Sequence, residues 1–527
     1  MDSSKLKGII IFILAGFAAL YLGITAATAQ LETVAWVLGV IVLTTCVLLG
    51  RRVWLLIPFL ASLDLTLRIP GQPSTLLLSQ ILFLGFTSLM LLMRKIEFRI
   101  HFTELEFWIL LLALFVLQVF MRNPVSVSLF GGDTVGGKAY YIFAISFVSA
   151  VFLSGLRIHP HDLNPIVPLT IFGGLLNILL IAIGAVFPQV GVWYGAAAIS
   201  RGTNIEQSAM EGVSSDTGAV TQRGDLGPMG ANLALWLSAF VSPLRACFSL
   251  RWAPLLLLAA ILSTMSGYRN AIATLGLTLI IGICYRGGRT AALAAFLIAA
   301  CGVGLLAFVN LVMPLPPNMQ RSLAFLPGTW EERYVKTTRD STEWRTEIWK
   351  EVLLTDRWIN NKLLGDGLGF TAQELAMQMN IAEGKNSGRI GISGFDAHRE
   401  TILANGDYHS GPVQTIRTIG YAGLLVLLIA QCRVAVHAHR QIQRCRNTEW
   451  FPLALLIGIP IIWAPIFFFF VFGTFKDGAA SLLLAYGMIR ILENNLPLPY
   501  YNSQQRRGHV PLAIKRHSAE LQTARSA

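Results

Sequence analysis

The chain has 527 residues, 54% of them hydrophobic and only 13% charged, with a formal net charge of +12 and a mean hydropathy of +0.60. Soluble domains carry about 25% charged residues, and several apolar blocks here exceed the ~18 residues that mark a membrane span. A soluble enzyme, a disordered chain, a disulfide scaffold and a repeat solenoid are excluded; the sequence reads as an all-α polytopic membrane protein.

Apolar blocks fall near 8–28, 34–50, 53–69, 74–93, 104–121, 138–155 and 164–187, then near 229–244, 252–268, 270–284 and 290–313, and finally near 412–431, 452–472 and 478–494. They predict about 12–14 transmembrane helices. The blocks at 53–69, 229–244 and 270–284 are short or interrupted, as half-helices or tilted pieces would be. Ala27-Thr28-Ala29 resembles a signal-peptidase site, but the apolar run before it is long for a signal peptide and more spans follow, so an uncleaved first helix is expected.

With the N-terminus inside, the cytoplasmic loops collect Arg51, Arg52, Arg94, Lys95, Arg99, Arg157, Arg245, Arg251, Arg286, Arg289, Arg433, Arg440, Arg444 and Arg446, and the tail adds Arg506, Arg507, Lys515, Arg516 and Arg525. The opposite side's short connections hold few basic residues, such as Arg122 and Lys476. This positive-inside bias predicts both termini in the cytoplasm and accounts for the net charge without nucleic acid. The six cysteines are scattered, with no Cys-x-x-Cys pair, and read as small apolar residues or free thiols.

The predicted organisation is a transmembrane bundle over 1–313 with an outer loop at about 188–228, a large extracytoplasmic loop over 314–411, C-terminal helices over 412–494 and a basic tail over 495–527. The large loop is too rich in Trp, Leu and Ile to be disordered. Ser341-Thr342-Glu343 predicts a helix start, followed by Trp344, Ile348, Trp349, Val352 and Leu353 on one face. Asn360-Asn361 and Gly365-Asp366-Gly367-Leu368-Gly369 end that helix, and the glycine run reads as a turn rather than a phosphate loop because it joins no strand to a helix. An amphipathic helix on the outer membrane face or over a cavity is expected.

Asp396-Ala397-His398 and Asp407-Tyr408-His409 offer nitrogen and oxygen ligands, but their spacing matches no metal site, and none is expected. Arginines at the membrane edge are more informative. Arg223 precedes the helix start at Gly227-Pro228, Arg269 lies between two apolar runs, Arg345 sits one turn before Trp349, and Arg417 lies within a span. With His409 they map to the outer half of the membrane or its surface. Converging guanidiniums suit pyrophosphate through paired charge-assisted hydrogen bonds, and histidine is the side chain suited to accept a proton near neutral pH. The combination points to chemistry on a diphosphate-linked lipid.

The order of Arg223 before a helix, SGYR ending a span, a long loop with RTEIWKEVL and LLGDGLG, and then HSGPVQTIRTIGYAG resembles the O-antigen ligase and polymerase superfamily over roughly residues 220–430. The resemblance implies about a dozen helices with one large periplasmic loop late in the chain, in a bacterial inner membrane. It also implies transfer of a glycan from an undecaprenyl-pyrophosphate carrier to an acceptor hydroxyl, lipid A–core or another glycan, without metal, nucleotide or other cofactor. By position Arg223 resembles the arginine opening the helix after the first outer loop. Arg269 resembles the arginine closing a Ser-x-Ser-Arg stretch, from which Gly267-Tyr268 departs. Arg345 matches the loop arginine four residues before a tryptophan, and His409-Ser410 matches the motif whose histidine acts on the acceptor. Ligase activity is the expectation, with a polymerase of the same superfamily, or a transporter of an anion or lipid-linked sugar, as alternatives.

Overall fold

The computed structural model describes residues 31–67, 72–126, 135–186, 226–371, 373–377, 402–406 and 408–496. The protein is an all-α polytopic membrane protein. Among the described residues nine helical segments are long and apolar enough to cross a membrane.

The first described part contains α1 (Leu31–Leu49), a 3₁₀ stretch (Gly50–Leu55), α2 (Leu56–Leu63), α3 (Thr75–Leu92), α4 (Glu104–Arg122), α5 (Lys138–Gly155) and α6 (Ile166–Val186). The expected separate spans at 34–50 and 53–69 form one apolar segment, Gly39–Leu63. Its α2 portion stops at Asp64, which adopts left-handed backbone. The following turn is closed by Thr75, whose hydroxyl accepts from Leu65 N–H at 3.0 Å and donates to the Leu60 carbonyl at 2.9 Å. The span expected at 8–28, the outer loop at 188–225 and most of the tail lie outside the described residues.

The chain continues through α7 (Leu226–Phe240), α8 (Pro243–Cys247), α9 (Ala253–Met265) and α10 (Arg269–Val312). Helix α10 is two helices joined at Gly288, where φ is +77°. The blocks expected at 229–244 and 252–268 are realised as helices of only 15 and 13 residues. The large loop contributes α11 (Pro317–Leu323) and α12 (Glu332–Leu354). Helix α12 begins nine residues before the Ser341 start expected from sequence: with Glu332 in its first turn, acidic side chains favour that end through the helix dipole. The bundle closes with α13 (Gly411–Cys445), α14 (Phe451–Phe470) and α15 (Phe475–Asn495).

Two ends of the bundle are distinguishable. At one, β1 (Glu97–Phe98) pairs antiparallel with β2 (Leu156–Arg157), Arg52 bridges Asp162 at 2.5 Å, and Arg157 contacts His101 and the Asn494 carbonyl. The segments around Arg52, Arg99, Arg157 and Asn494 therefore meet at a common basic end. Just inside it, Arg490 is 8% exposed and binds Glu106 through Nε at 2.6 Å and Nη2 at 2.5 Å, Glu493 through Nη1 at 2.6 Å and the Thr103 hydroxyl at 2.6 Å. Thr103 and Glu106 also form the capping box that starts α4. One guanidinium thus ties α4 to α15. Arg490→Leu leaves Glu106 buried without its cation; a loss of about 3–5 kcal/mol is expected, read as a lower midpoint in detergent unfolding. A wild-type midpoint would show that the pair is not holding these helices.

At the other end the large loop folds back on the bundle. Arg122 Nη2 donates to the carbonyls of Leu364 and Gly365 at 3.0 and 2.6 Å, Asn123 Nδ2 donates to the Asp366 carbonyl at 2.8 Å, and Val135 bridges Phe370. Buried Ile348, Val352, Trp358, Ile359, Ile402, Leu403 and Tyr408 form a core beneath α12 that continues into Val413 and Ile416 of α13. The expected apolar face of α12 is the face that packs, since Trp344, Trp349 and Leu353 lie against the same core.

Candidate functional site

The loop end is organised around a break in α13. At Gly420 the backbone takes φ +75° and ψ 178° in the middle of the helix, which displaces two helical hydrogen bonds. Residues 362–367 cross the break and replace them: Tyr421 N–H donates to the Lys362 carbonyl at 2.8 Å and Ala422 N–H to Leu363 at 3.2 Å, while the carbonyls of Arg417 and Thr418 accept from Asp366 N–H at 2.7 Å and Gly367 N–H at 3.1 Å. Free backbone groups at membrane depth cost several kcal/mol each, so the loop and the break require one another. The Asp366 carboxylate holds the crossing strand by accepting from the N–H groups of Asn360 and Asn361 at 2.7 and 2.8 Å. The glycine run therefore acts as a structural turn, and the N–H groups of Asp366, Gly367 and Leu368 are already used by Arg417, Thr418 and the Tyr140 hydroxyl.

His409 sits immediately before α13, whose first turn is capped by the Ser410 hydroxyl accepting from Val413 N–H. Its φ of +49° is a left-handed value uncommon outside glycine, though histidine adopts it more readily than most side chains, and backbone of this kind clusters at functional sites. The ring lies between two aromatic rings, with centroids 5.9 Å from Trp344 on α12 and 6.2 Å from Phe472 beyond α14. Trp349 Nε1 donates to the Tyr408 carbonyl at 2.8 Å, which fixes the residue before the histidine to α12.

The structure places the remaining candidates as follows. Arg345 follows Trp344 on α12 and is half-buried. Arg417 is 6% exposed. Its guanidinium carbon stands 3.9 Å over the Phe370 ring, Nη1 reaches the Gly367 carbonyl at 3.4 Å, and Gly406 packs against its other side. His409 precedes α13, so the two residues do not share a helix face. Arg269 is the first residue of α10, after the left-handed Gly267. That turn faces the loop, since the Ser322 hydroxyl of α11 donates to the Thr264 carbonyl at 2.7 Å. Arg223, Asp396, His398 and Asp407 lie outside the described residues.

Sequence reasoning missed Trp344 and Phe472 as walls of the site. Both read as ordinary apolar positions; only the position of Trp344 one residue before Arg345 signalled the first. It also missed Tyr408, which is 1% exposed and whose hydroxyl has no hydrogen-bond partner among the described residues. Burial pushes this phenol up to about 12, against a smaller opposing pull from Arg417. A phenol raised when folded stabilises the protein below the unfolded value near 10, and that stability is lost as pH rises towards 12. Tyr408→Phe should change the unfolding midpoint little at pH 7 and lessen the loss between pH 10 and 12; an unchanged loss would place its origin in other buried groups.

Phe472 has a second neighbour. It lines an apolar cavity of about 460 Å3 that runs from Gly473, Thr474 and Asp477 to Leu456 on α14 and Met488 on α15, some 20 Å at 1.5 Å per helical residue. The cavity therefore extends from the Phe472 wall of the histidine site along α14 and α15. No protein-family model matches the sequence, and no curated protein matches it.

Proposed function

We propose that the chain is a membrane glycosyltransferase that moves a glycan from an undecaprenyl-pyrophosphate carrier to an acceptor hydroxyl, in the manner of the O-antigen ligases. In this reading the loop end faces the periplasm of a bacterial inner membrane and both termini are cytoplasmic. The observation that carries it is the shared wall: Phe472 borders both the His409 ring and the apolar cavity. A proton acceptor that shares a wall with an apolar cavity fits an amphiphile whose reacting head lies at the loop end.

His409 takes the proton of the attacking hydroxyl through a ring nitrogen. The oxygen bonds to the anomeric carbon from the face opposite the phosphate, and the sugar–phosphate bond breaks with its electron pair leaving on the pyrophosphate. Configuration inverts. Arg345 and Arg269, with Arg223, meet the charge that grows on the leaving group, which is where fixed positive charge lowers a barrier most. Arg417, held between Phe370 and Gly406, fits a positioning role behind that clamp.

The broken helix α13 favours a second reading as a transporter, since interrupted spans commonly hold substrates or ions. Here the interruption is filled by residues 362–367, whose backbone takes up its donors and acceptors, leaving those groups engaged. The deciding experiment combines purified protein, carrier-linked glycan donor, candidate acceptors and EDTA. Product on lipid A–core supports a ligase, and longer glycan chains support a polymerase. No product with any acceptor, together with solute flux in proteoliposomes, replaces the proposal with transport.

A further inference from the structure

The basic end of the bundle holds more positive charge than its acids neutralise. Four carboxylates there are already paired: Glu104 with Arg433 at 2.6 Å, Glu106 with Arg490, Glu493 with Arg490 and His437 at 2.6 Å, and Asp162 with Arg52. Arg99, His101 and Arg157 are left over, and they cluster. Arg157 Nη2 meets His101 Nδ1 at 2.8 Å and donates to the Arg99 carbonyl at 3.4 Å, while Nη1 donates to the Asn494 carbonyl at 3.3 Å. None of the three forms an ion pair among the described residues, and Glu97, which faces Arg157 across the β1–β2 ladder, is exposed and bridges neither arginine. Burial, and then repulsion from Arg99 and Arg490, draws the Arg157 guanidinium below its ordinary pKa, as befits a cation packed among cations.

Backbone hydrogen bonds hold the cluster in shape. Arg99 N–H donates to the Gly155 carbonyl at 2.8 Å, Asn495 Oδ1 accepts from Ile158 N–H at 2.8 Å, and Asn495 Nδ2 donates to the Leu156 carbonyl at 3.1 Å. The α3–α4 link, the α5–α6 link and the end of α15 thus form one frame. A guanidinium has donors only, so His101 presents a bare Nδ1 to Arg157 and carries its proton on Nε2. The three side chains together offer positive charge and N–H donors, which is the chemistry that holds a phosphate. Their neighbours add a second property. Leu92 is 83% exposed, Ile100 47% and Phe102 65%, so cations alternate with bare apolar side chains along Arg99-Ile100-His101-Phe102. A dissolved anion has no use for those apolar groups, whereas a bilayer interface sets hydrocarbon directly beneath its layer of phosphates.

We infer that Arg99, His101 and Arg157 bind the phosphate of an anionic phospholipid in the leaflet at the basic end, with Ile100 and Phe102 set among its acyl chains. Inorganic phosphate shares the head chemistry but not the apolar contact. The site lies at the opposite end of the bundle from His409 and does not depend on glycan transfer.

The test is a titration of the full-length protein in dodecyl maltoside with dioctanoyl phosphatidic acid, dioctanoyl phosphatidylcholine and inorganic phosphate, bound ligand being counted by native mass spectrometry. Phosphatidic acid is expected to bind at least about fivefold more tightly than either of the others, the effect of one basic residue at an anionic surface. Arg99→Gln and His101→Leu, both at exposed positions, should each weaken phosphatidic acid by about that factor. Their affinity for phosphatidylcholine should stay at the wild-type value, which also shows that the variants are folded. Arg251→Gln is the control, an exposed arginine from another of the basic loops, and should leave all three affinities unchanged. Equal binding of the two lipids would overturn the inference, and equal binding of inorganic phosphate would overturn the assignment to a lipid. A loss in Arg251→Gln as large as in Arg99→Gln would also overturn it, since the attraction would then belong to the basic end as a whole. Should His101→Leu fail to fold, Arg99→Gln decides alone. Phosphatidic acid selectivity in a protein that transfers no glycan would sustain this inference and remove the proposed function; glycan transfer without the selectivity would do the opposite.

Discussion

His409→Ala is expected to lower glycan transfer by about 10²–10⁴-fold, the range that a positioned general base contributes, with the protein still inserted and folded. Alanine removes the ring from between Trp344 and Phe472 and, still carrying a Cβ, is less suited than histidine to the left-handed backbone at φ +49°, so one substitution changes both chemistry and strain. His409→Asn separates them, because asparagine tolerates that backbone but accepts no proton near neutral pH. Asparagine is therefore expected to match wild-type stability and alanine's loss of activity. Arg345→Ala should cost a comparable factor, and Arg345→Lys should recover only part of it, since lysine supplies charge without the planar fork. Near-normal transfer by His409→Asn would sink the proton-acceptor role, and near-normal transfer by Arg345→Ala would sink the clamp.

Gly420→Val is the substitution expected to damage the fold most. A Cβ at Gly420 would stand 2.1 Å from the Leu363 carbonyl oxygen and 2.3 Å from its carbon, at a φ of +75° that side chains avoid. The crossing strand has nowhere to retreat, because Arg122 and Asn123 hold it from the other side. Left-handed strain alone costs about 1–3 kcal/mol, and displacing residues 362–367 adds backbone groups left without partners at the break. A loss of at least about 3 kcal/mol is expected, with the large loop becoming a protease target before the bundle unfolds. Gly276→Ala is the control: nothing lies within 4 Å of a Cβ there, and alanine in a helix gains up to about 1 kcal/mol over glycine. Equal midpoints for Gly420→Val and wild type would mean that the loop does not depend on the break.

The two experiments separate positions whose meaning was legible in the sequence from positions whose meaning was not. His409 and Arg345 stood out because ionisable residues are rare in a chain with 13% charge. Gly420 and Gly365 were visible only as glycines. That they face each other, with a Cβ on Gly365 standing 2.5 Å from Ile419 N, depends on residues more than fifty apart in sequence. The same holds for Arg490, which is tied to Glu106 in the first turn of a helix 384 residues away.

What the sequence by itself determined is what local chemistry dictates. Apolar blocks of membrane length make spans, basic residues accumulate between alternate spans, and the face carrying Trp344, Ile348, Val352 and Leu353 packs, although α12 stops at Leu354, before the Asn360-Asn361 pair and the glycine run expected to end it. Only the tertiary structure decided how those parts complete one another. The Gly39–Leu63 segment counts as one apolar stretch because α2 stops at a turn closed by Thr75. The break in α13 exists because residues 362–367 satisfy its backbone. The cavity that Phe472 borders is lined from α2, α6, α13, α14 and α15, which only packing brings to one wall. Hydropathy records how each residue partitions between water and lipid, and it is blind to which distant group supplies a hydrogen bond or a wall once the helices pack.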